Sequence, residues 1–372
     1  MFSALLLFIL TTQAQTTPAN VIIKQTFEAD ENGWTTMGGG GSLRATKKPA
    51  EMHAGANSLA FDYEAGKKMS VMVLPTESAL EGMTSMRFWL KTDVSTPVAV
   101  FLAERKPGGD YSTYFWSPKD KWQQIVLQPS DFTANDGAGD PVDPDGKLDL
   151  DAVQGIGLLD LKLMFGVMGA NQQMPFPVDL LTGAHTLLIS DFQIATSEPE
   201  PAPSGTGVTI DAFDRPFAQW MNLGGMDIAI RPGENPLQKP ALEAVYKQTP
   251  GKMALLNRRL GSEDLSRCDR LAFDIASRSD AQIAVSVEML KKAGKGSRYT
   301  YLIEVKGDSK KQTVTIPFTE FALDENSPPD PAGKFDPTKI RSLSLLDVTG
   351  VTATEAVPNT LWLADVRALY KN

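Results

Sequence analysis

The sequence predicts an all-β chain: two antiparallel β-sandwiches of jelly-roll type in tandem. Three observations predict it. First, the 372-residue chain repeats itself. Leu80–Arg105 returns as Leu265–Leu290, and Phe27-Glu28 with Trp34 returns as Phe213-Asp214 with Trp220. Leu158-Leu159-Asp160 returns as Leu345-Leu346-Asp347, and Leu188-Ile189-Ser190-Asp191 as Trp362-Leu363-Ala364-Asp365. The offset is roughly 185 residues until the last pair, far too long for a solenoid or propeller unit. Second, the segments are short and alternate with period two between Gly, Pro, Asp and Asn, as half-buried antiparallel strands do. Third, long helical periodicity is missing. Each copy is long enough to bury its own core, and features kept in both copies are read as fold.

Along the chain, Met1–Leu10 is apolar and small residues follow it, so 1–15 reads as a secretory signal peptide. It carries no Lys or Arg ahead of the apolar run. The first domain is assigned to 20–196. Its inward sets are Met86, Phe88 and Leu90; Val98, Val100 and Leu102; Tyr114 and Trp116; and Ile125 and Leu127. The second copy supplies Leu271, Phe273 and Ile275; Ile283, Val285 and Val287; Tyr301 and Ile303; and Val314 and Ile316. Pro-rich 197–207 is the linker, an extended and semi-rigid spacer, and 208–372 is the second domain. In the second copy Trp362 replaces Leu188 and is assigned to the core. Cys268, the one cysteine, reads as a buried thiol.

These motifs together resemble a family. An aromatic-acidic pair and a nearby Trp open each copy. Ile125–Phe132 or Val314–Phe321 ends a strand, and Leu188–Phe192 closes the first copy. The pattern is similar to galactose-binding-like jelly rolls, more narrowly to family 11 carbohydrate-binding modules and the complex I intermediate-associated domain family. The resemblance implies sugar or protein ligands. It also implies a structural Ca²⁺ near the first and last strands, held by Glu28 and Asp191 in copy one and by Asp214 and Asp365 in copy two. Oxygen ligands suit that ion.

Composition and motifs exclude much. A net charge of −9 argues against nucleic acid or an anionic membrane as the main partner. Two histidines and one cysteine make a zinc site of the usual type hard to assemble. No metalloprotease, nucleophile-elbow or phosphate-loop motif occurs. The acidic loop Asp140–Asp149 fails the EF-hand pattern, because Pro141 and Ala152 stand where acids are required. The chain therefore reads as no enzyme. Without an N-glycosylation sequon, export points to a secreted, periplasmic or cell-envelope protein.

The copies differ on the strand positions assigned to the outer face. Copy one places Arg87, Trp89, Lys91, Phe101, Tyr111, Phe115 and Gln124 there; copy two holds Ala272, Asp274, Ala276, Ser286 and Arg298 at corresponding places. Aromatic rings suit the apolar C–H faces of sugars, and Arg, Lys and Gln suit their hydroxyl rims. Trp89, Arg87, Lys91, Phe101, Tyr111 and Gln124 are thus the candidate glycan site, with Trp89 as its platform. Three alternatives stay open: the insertion Lys162–His185, with Met174 and Phe176, covers this face; the second domain covers it; or a protein partner does, in an assembly or adhesion role. A divergent β-sandwich lyase or hydrolase is the remaining reading.

Overall fold

The computed structural model describes residues 20–28, 30–66, 68–77, 80–135, 139–169, 180–196, 206–261, 263–289, 296–328 and 334–371. The signal peptide, 197–205 of the linker, Met174 and Phe176 lie outside them.

Copy one runs β1 (Asn20–Gln25), β2 (Thr35–Met37), β3 (Gly41–Thr46), β4 (Ser58–Ala65), β5 (Val71–Pro75), β6 (Ser85–Thr92), β7 (Thr96–Glu104), β8 (Asp110–Ser117), β9 (Gln123–Leu127), β10 (Thr133–Ala134), β11 (Val153–Asp160), α1 (Leu161–Gly169) and β12 (Gly183–Thr196). Copy two runs β13 (Gly207–Asp211), β14 (Met221–Leu223), β15 (Asp227–Arg231), β16 (Ala241–Gln248), β17 (Ala254–Arg259), β18 (Cys268–Ser277), β19 (Ala281–Met289), β20 (Arg298–Val305), β21 (Gln312–Pro317), β22 (Ala322–Leu323), β23 (Ile340–Asp347), α2 (Thr349–Thr352) and β24 (Val357–Tyr370).

The duplication is complete at the level of topology. One sheet of copy one has the order β3-β4-β12-β6-β9, and copy two has β15-β16-β24-β18-β21. The other sheet, β10-β8-β7-β11-β5-β2, returns as β22-β20-β19-β23-β17-β14. β1 takes the edge of β12 that β4 leaves after Ser190, as β13 does on β24. The handover sits at a bulge, where Asp191 (φ 48°) and Asp365 (φ 53°) adopt left-handed backbone. Phe27 and Phe213 do the same at φ 56°, an uncommon conformation for a bulky residue. All four recur in register, so the strain belongs to the fold.

The inward sets fill the two cores as the alternation predicts. Phe88, Leu90, Val98, Val100, Leu102, Ile125 and Leu127 are fully buried, as are Ile275, Ile283 and Val285 in copy two. A polar tie joins the sheets of each sandwich: Tyr63 on β4 donates to Asp160 on β11, and Tyr246 on β16 donates to Asp347 on β23. Asp160 also accepts from Thr96 and from the Lys162 amide, so its lone pairs are satisfied. Burial pushes the Asp160 carboxyl up from its ordinary value. Cys268 is buried and unpaired, as predicted.

β8 corrects the sequence reading. Tyr111, Thr113 and Phe115 pair with Leu102, Val100 and Val98, so they share the inward face. Tyr114 and Trp116 point outward, against the second sandwich. Tyr114 donates to Asn257, and the Trp116 amide donates to the Ala218 carbonyl at 2.8 Å. In return Phe217 from copy two enters the first core, edge-on to Phe115 at 5.7 Å. Arg215 bonds Asp131 at 2.9 Å, Arg259 bonds Ser112 at 2.6 Å, and Thr133 bonds the Leu260 carbonyl at 2.7 Å. The two sandwiches are thus docked on one another. With four aromatics among residues 111–116, a one-residue slip was invisible to alternation alone.

Candidate functional site

The outer face of the sheet β3-β4-β12-β6-β9 is built in rows. Ladder pairing sets Thr46, Ser58, Ser190, Trp89 and Gln124 side by side. The next row is Arg44, Ala60, Leu188 and Lys91, and beyond it stand Ser42, Asp62 and Thr186. Arg87 and Gln193 form the row on the other side of Trp89.

Over these rows lies the connection between β3 and β4. Glu51 in its short helical turn bonds Arg44 at 2.7 Å and accepts from Thr46 at 2.5 Å. Arg44 also bonds Asp62 at 2.7 Å. These hydrogen bonds, Arg44 first, hold the Glu51 carboxyl down at about 2. Lys91 donates to the Ala50 carbonyl at 2.6 Å. The connection thereby brings His53 onto Trp89, with ring centroids 3.8 Å apart and planes at 22°. Trp122, just before β9, meets the same imidazole at 5.4 Å, and Lys91 Nζ lies 5.4 Å from the Trp122 ring centre. Burial lowers the His53 pKa, and nearby Asp191 opposes that shift. Arg87 donates to Gln193 at 2.7 Å, and Gln193 donates to Asp191 at 2.7 Å. Both indoles remain partly exposed.

The structure therefore brings Trp89, Arg87, Lys91 and Gln124 together, and separates the other two site residues. Phe101 lies on the outer face of the other sheet, paired with Ser112 and Gly157. Tyr111 is an inward core residue whose hydroxyl donates to Asp143. Sequence reasoning missed His53 and Trp122. Neither lies in a strand, so alternation gave them no face. Trp89 is also no bare platform, because an imidazole occupies one of its faces.

Copy two shows the same face without the aromatic pair. Asp274 stands where copy one has Trp89, bonded to Lys239 at 2.6 Å and Thr313 at 2.6 Å. Those partners hold its carboxyl below the ordinary value against the effect of burial. Trp362 is on this outer face, not in the core as its replacement of Leu188 suggested. Its flanking residues Leu361 and Leu363 point inward, while Trp362 packs with Leu237, Ala241, Ala276 and Ala364. Its indole N–H donates to Glu243 at 3.1 Å.

The four Ca²⁺ candidates fall at two places in each copy, one just beyond the first strand and one at the bulge of the last. Among the described residues no three His, Cys, Asp or Glu side chains converge. Asp191 belongs to the Arg87–Gln193 chain, and Asp365 lies 3.5 Å from Lys239 and 3.1 Å from Arg367. Glu28 and Asp214 are exposed residues just beyond β1 and β13. No helix among the described residues is long and apolar enough to cross a membrane.

No family model and no curated protein matches the chain. Among solved structures it is similar to a family 11 carbohydrate-binding module from Clostridium thermocellum in complex with a β-1,3-1,4-mixed-linked tetrasaccharide. The two are 19% identical over 45% of this chain and 98% of that one, with a TM-score of 0.35. The solution structure of CtCBM11 is 20% identical over 46% of this chain and 99% of that one, with a TM-score of 0.39. The tandem CBM22-1-CBM22-2 domain of Paenibacillus barcinonensis Xyn10C spans 97% of this chain and 100% of its own, at 13% identity and 0.33. Likenesses of this size leave the site to be argued from this chain's own residues.

Proposed function

We propose that the protein is an exported, non-catalytic carbohydrate-binding protein, and that its glycan site is the Trp89–Trp122 face of the first sandwich. One observation carries this reading: two partly exposed indoles lie on one sheet face among Lys91, Arg87, Gln124 and Gln193, while the duplicate of that face holds an Asp274–Lys239 ion pair. Indole faces offer apolar area at little entropic cost, and the amide and cationic side chains offer hydrogen bonds to hydroxyl rims. A neutral sugar fits this chemistry better than an anion, because Asp191, Asp62 and Glu51 stand among the cations.

The test is affinity electrophoresis of the full chain through a panel of neutral soluble polysaccharides: mixed-linked β-glucan, xylan, galactan and dextran. Retardation by at least one of them, reduced tenfold or more by Trp122→Ala, supports the reading. Retardation by none, or by one that Trp122→Ala leaves unchanged, contradicts it.

A further inference from the structure

Both sandwiches carry a groove at the same place, and the two grooves have opposite charge. In copy one a groove of about 510 Å³ is lined by Gly40, Asp62, Glu64, His185 and Thr186. In copy two a groove of about 470 Å³ is lined by Gly225, Lys247, Lys252, Arg278, Asn359 and Thr360. Both volumes fall in the roughly 300–1,000 Å³ range of small-ligand sites.

The correspondence follows from the ladders. Tyr63 pairs with His185 as Tyr246 pairs with Asn359, so Glu64 and Lys247 are equivalent, as are Asp62 and Val245. The Asp93 amide donates to the Thr186 carbonyl and the Arg278 amide to the Thr360 carbonyl, so Asp93 and Arg278 are equivalent too. Asp93 lies 3.3 Å from the His185 ring nitrogen on the first groove. Between the copies, an Asp has become Arg, a Glu has become Lys, and an Asp has become Val. Lys252 adds a third cation to the second groove.

The three cations are exposed, and none forms an ion pair with a described residue, although 45 acids against 36 cations make the chain acidic. Elsewhere on this copy several cations are paired locally: Lys239 and Lys311 with Asp274, Arg231 with Glu243, Arg298 with Asp324. Cations left unpaired around a concavity raise the local concentration of anions. The floor adds Thr360 and Asn359, the latter held in place by bonds to Ser277, Ser279 and Tyr246.

We propose that this groove of the second sandwich binds an anionic sugar, through a carboxylate or sulfate group held by Lys247, Lys252 and Arg278. Each group accepts several hydrogen bonds, and a guanidinium beside two ammonium groups matches such an anion. Sugar chains are favoured over nucleic acid because the chain carries a net charge of −9 and the one aromatic residue of the groove lining, Tyr246, is buried with its hydroxyl on Asp347, which leaves no exposed ring for a base to stack on. This site is separate from the Trp89 face and does not depend on it.

The test is affinity electrophoresis of the full chain at low ionic strength through dextran sulfate, polygalacturonate, uncharged dextran and single-stranded DNA. Retardation is expected with dextran sulfate or polygalacturonate, and the arm that responds identifies the group. It should fall at least tenfold in the double variant Lys247→Glu, Arg278→Asp, which writes the residues of copy one into copy two. It should be abolished near 1 M salt, where the screening length is about 3 Å. Trp89→Ala should leave it unchanged, which separates this site from the neutral-sugar site. Thermal melting checks that the double variant folds; Lys252→Ala, at another exposed position, gives an independent reading with an expected threefold or larger loss. Polyanion binding that survives both variants overturns the proposal. So does the lack of retardation by either polyanion, or retardation by DNA alone.

Discussion

Trp89 and the two Tyr–Asp ties mark the extremes of what single residues reveal. Both tyrosines and both aspartates recur, and the structure gives the reason: each pair joins two sheets across a core. Removing the hydroxyl leaves a buried carboxylate short of a donor, which costs about 1–3 kcal/mol. Tyr63→Phe and Tyr246→Phe should each lower stability by that amount in denaturant titration, without loss of neutral-sugar binding at the Trp89 face. Trp89 was legible as an outward residue because it alternates with Met86, Phe88 and Leu90. Its neighbours His53 and Trp122 were not, because loop residues have no periodicity to read. His53 covers one face of Trp89. His53→Ala should therefore leave affinity for a neutral sugar equal or higher, where a wall residue would lower it; titration calorimetry distinguishes the two.

At the scale of elements, the inward sets were legible wherever hydrophobic residues truly alternate, as in β6, β7 and β9. β8 was not, because it is aromatic on both faces: one face fills the first core and the other meets the second sandwich. That misplacement put Tyr111 and Phe115 outside and Tyr114 and Trp116 inside. The β3–β4 connection is the element that shapes the site, and Glu51 is its anchor. Arg44 and Thr46 hold Glu51 at about 2 against an ordinary 4.5. A lowered folded-state pKa means that the ionised carboxylate stabilises the closed connection above pH 4.5, and that this contribution is lost as pH falls through about 2. Amide hydrogen exchange in 47–57 should rise over that window while the cores stay protected. In Glu51→Gln the exchange should already be fast at neutral pH and should no longer respond to the same acid range.

For the whole molecule, the repeat predicted two sandwiches but not their docking. The linker composition spoke for separation; the contacts that oppose it arise from β8, the loop before β14, and β17, which no local pattern connects. Phe217 is buried in the neighbouring core. The chain should unfold in one calorimetric transition, and Phe217→Ala should lower its midpoint and split it in two. Once docked, the copies offer two faces and two grooves with the same backbone and different chemistry, so each site has its counterpart as a control. The most direct measurement titrates whichever neutral polysaccharide the chain binds into Trp89→Ala and, separately, into Trp362→Ala, its outer-face relative in copy two. A loss of at least tenfold is expected for Trp89→Ala, about 1.4 kcal/mol, and a change within about twofold for Trp362→Ala on the same scale. Equal losses in both variants, or a loss confined to Trp362→Ala, would contradict it.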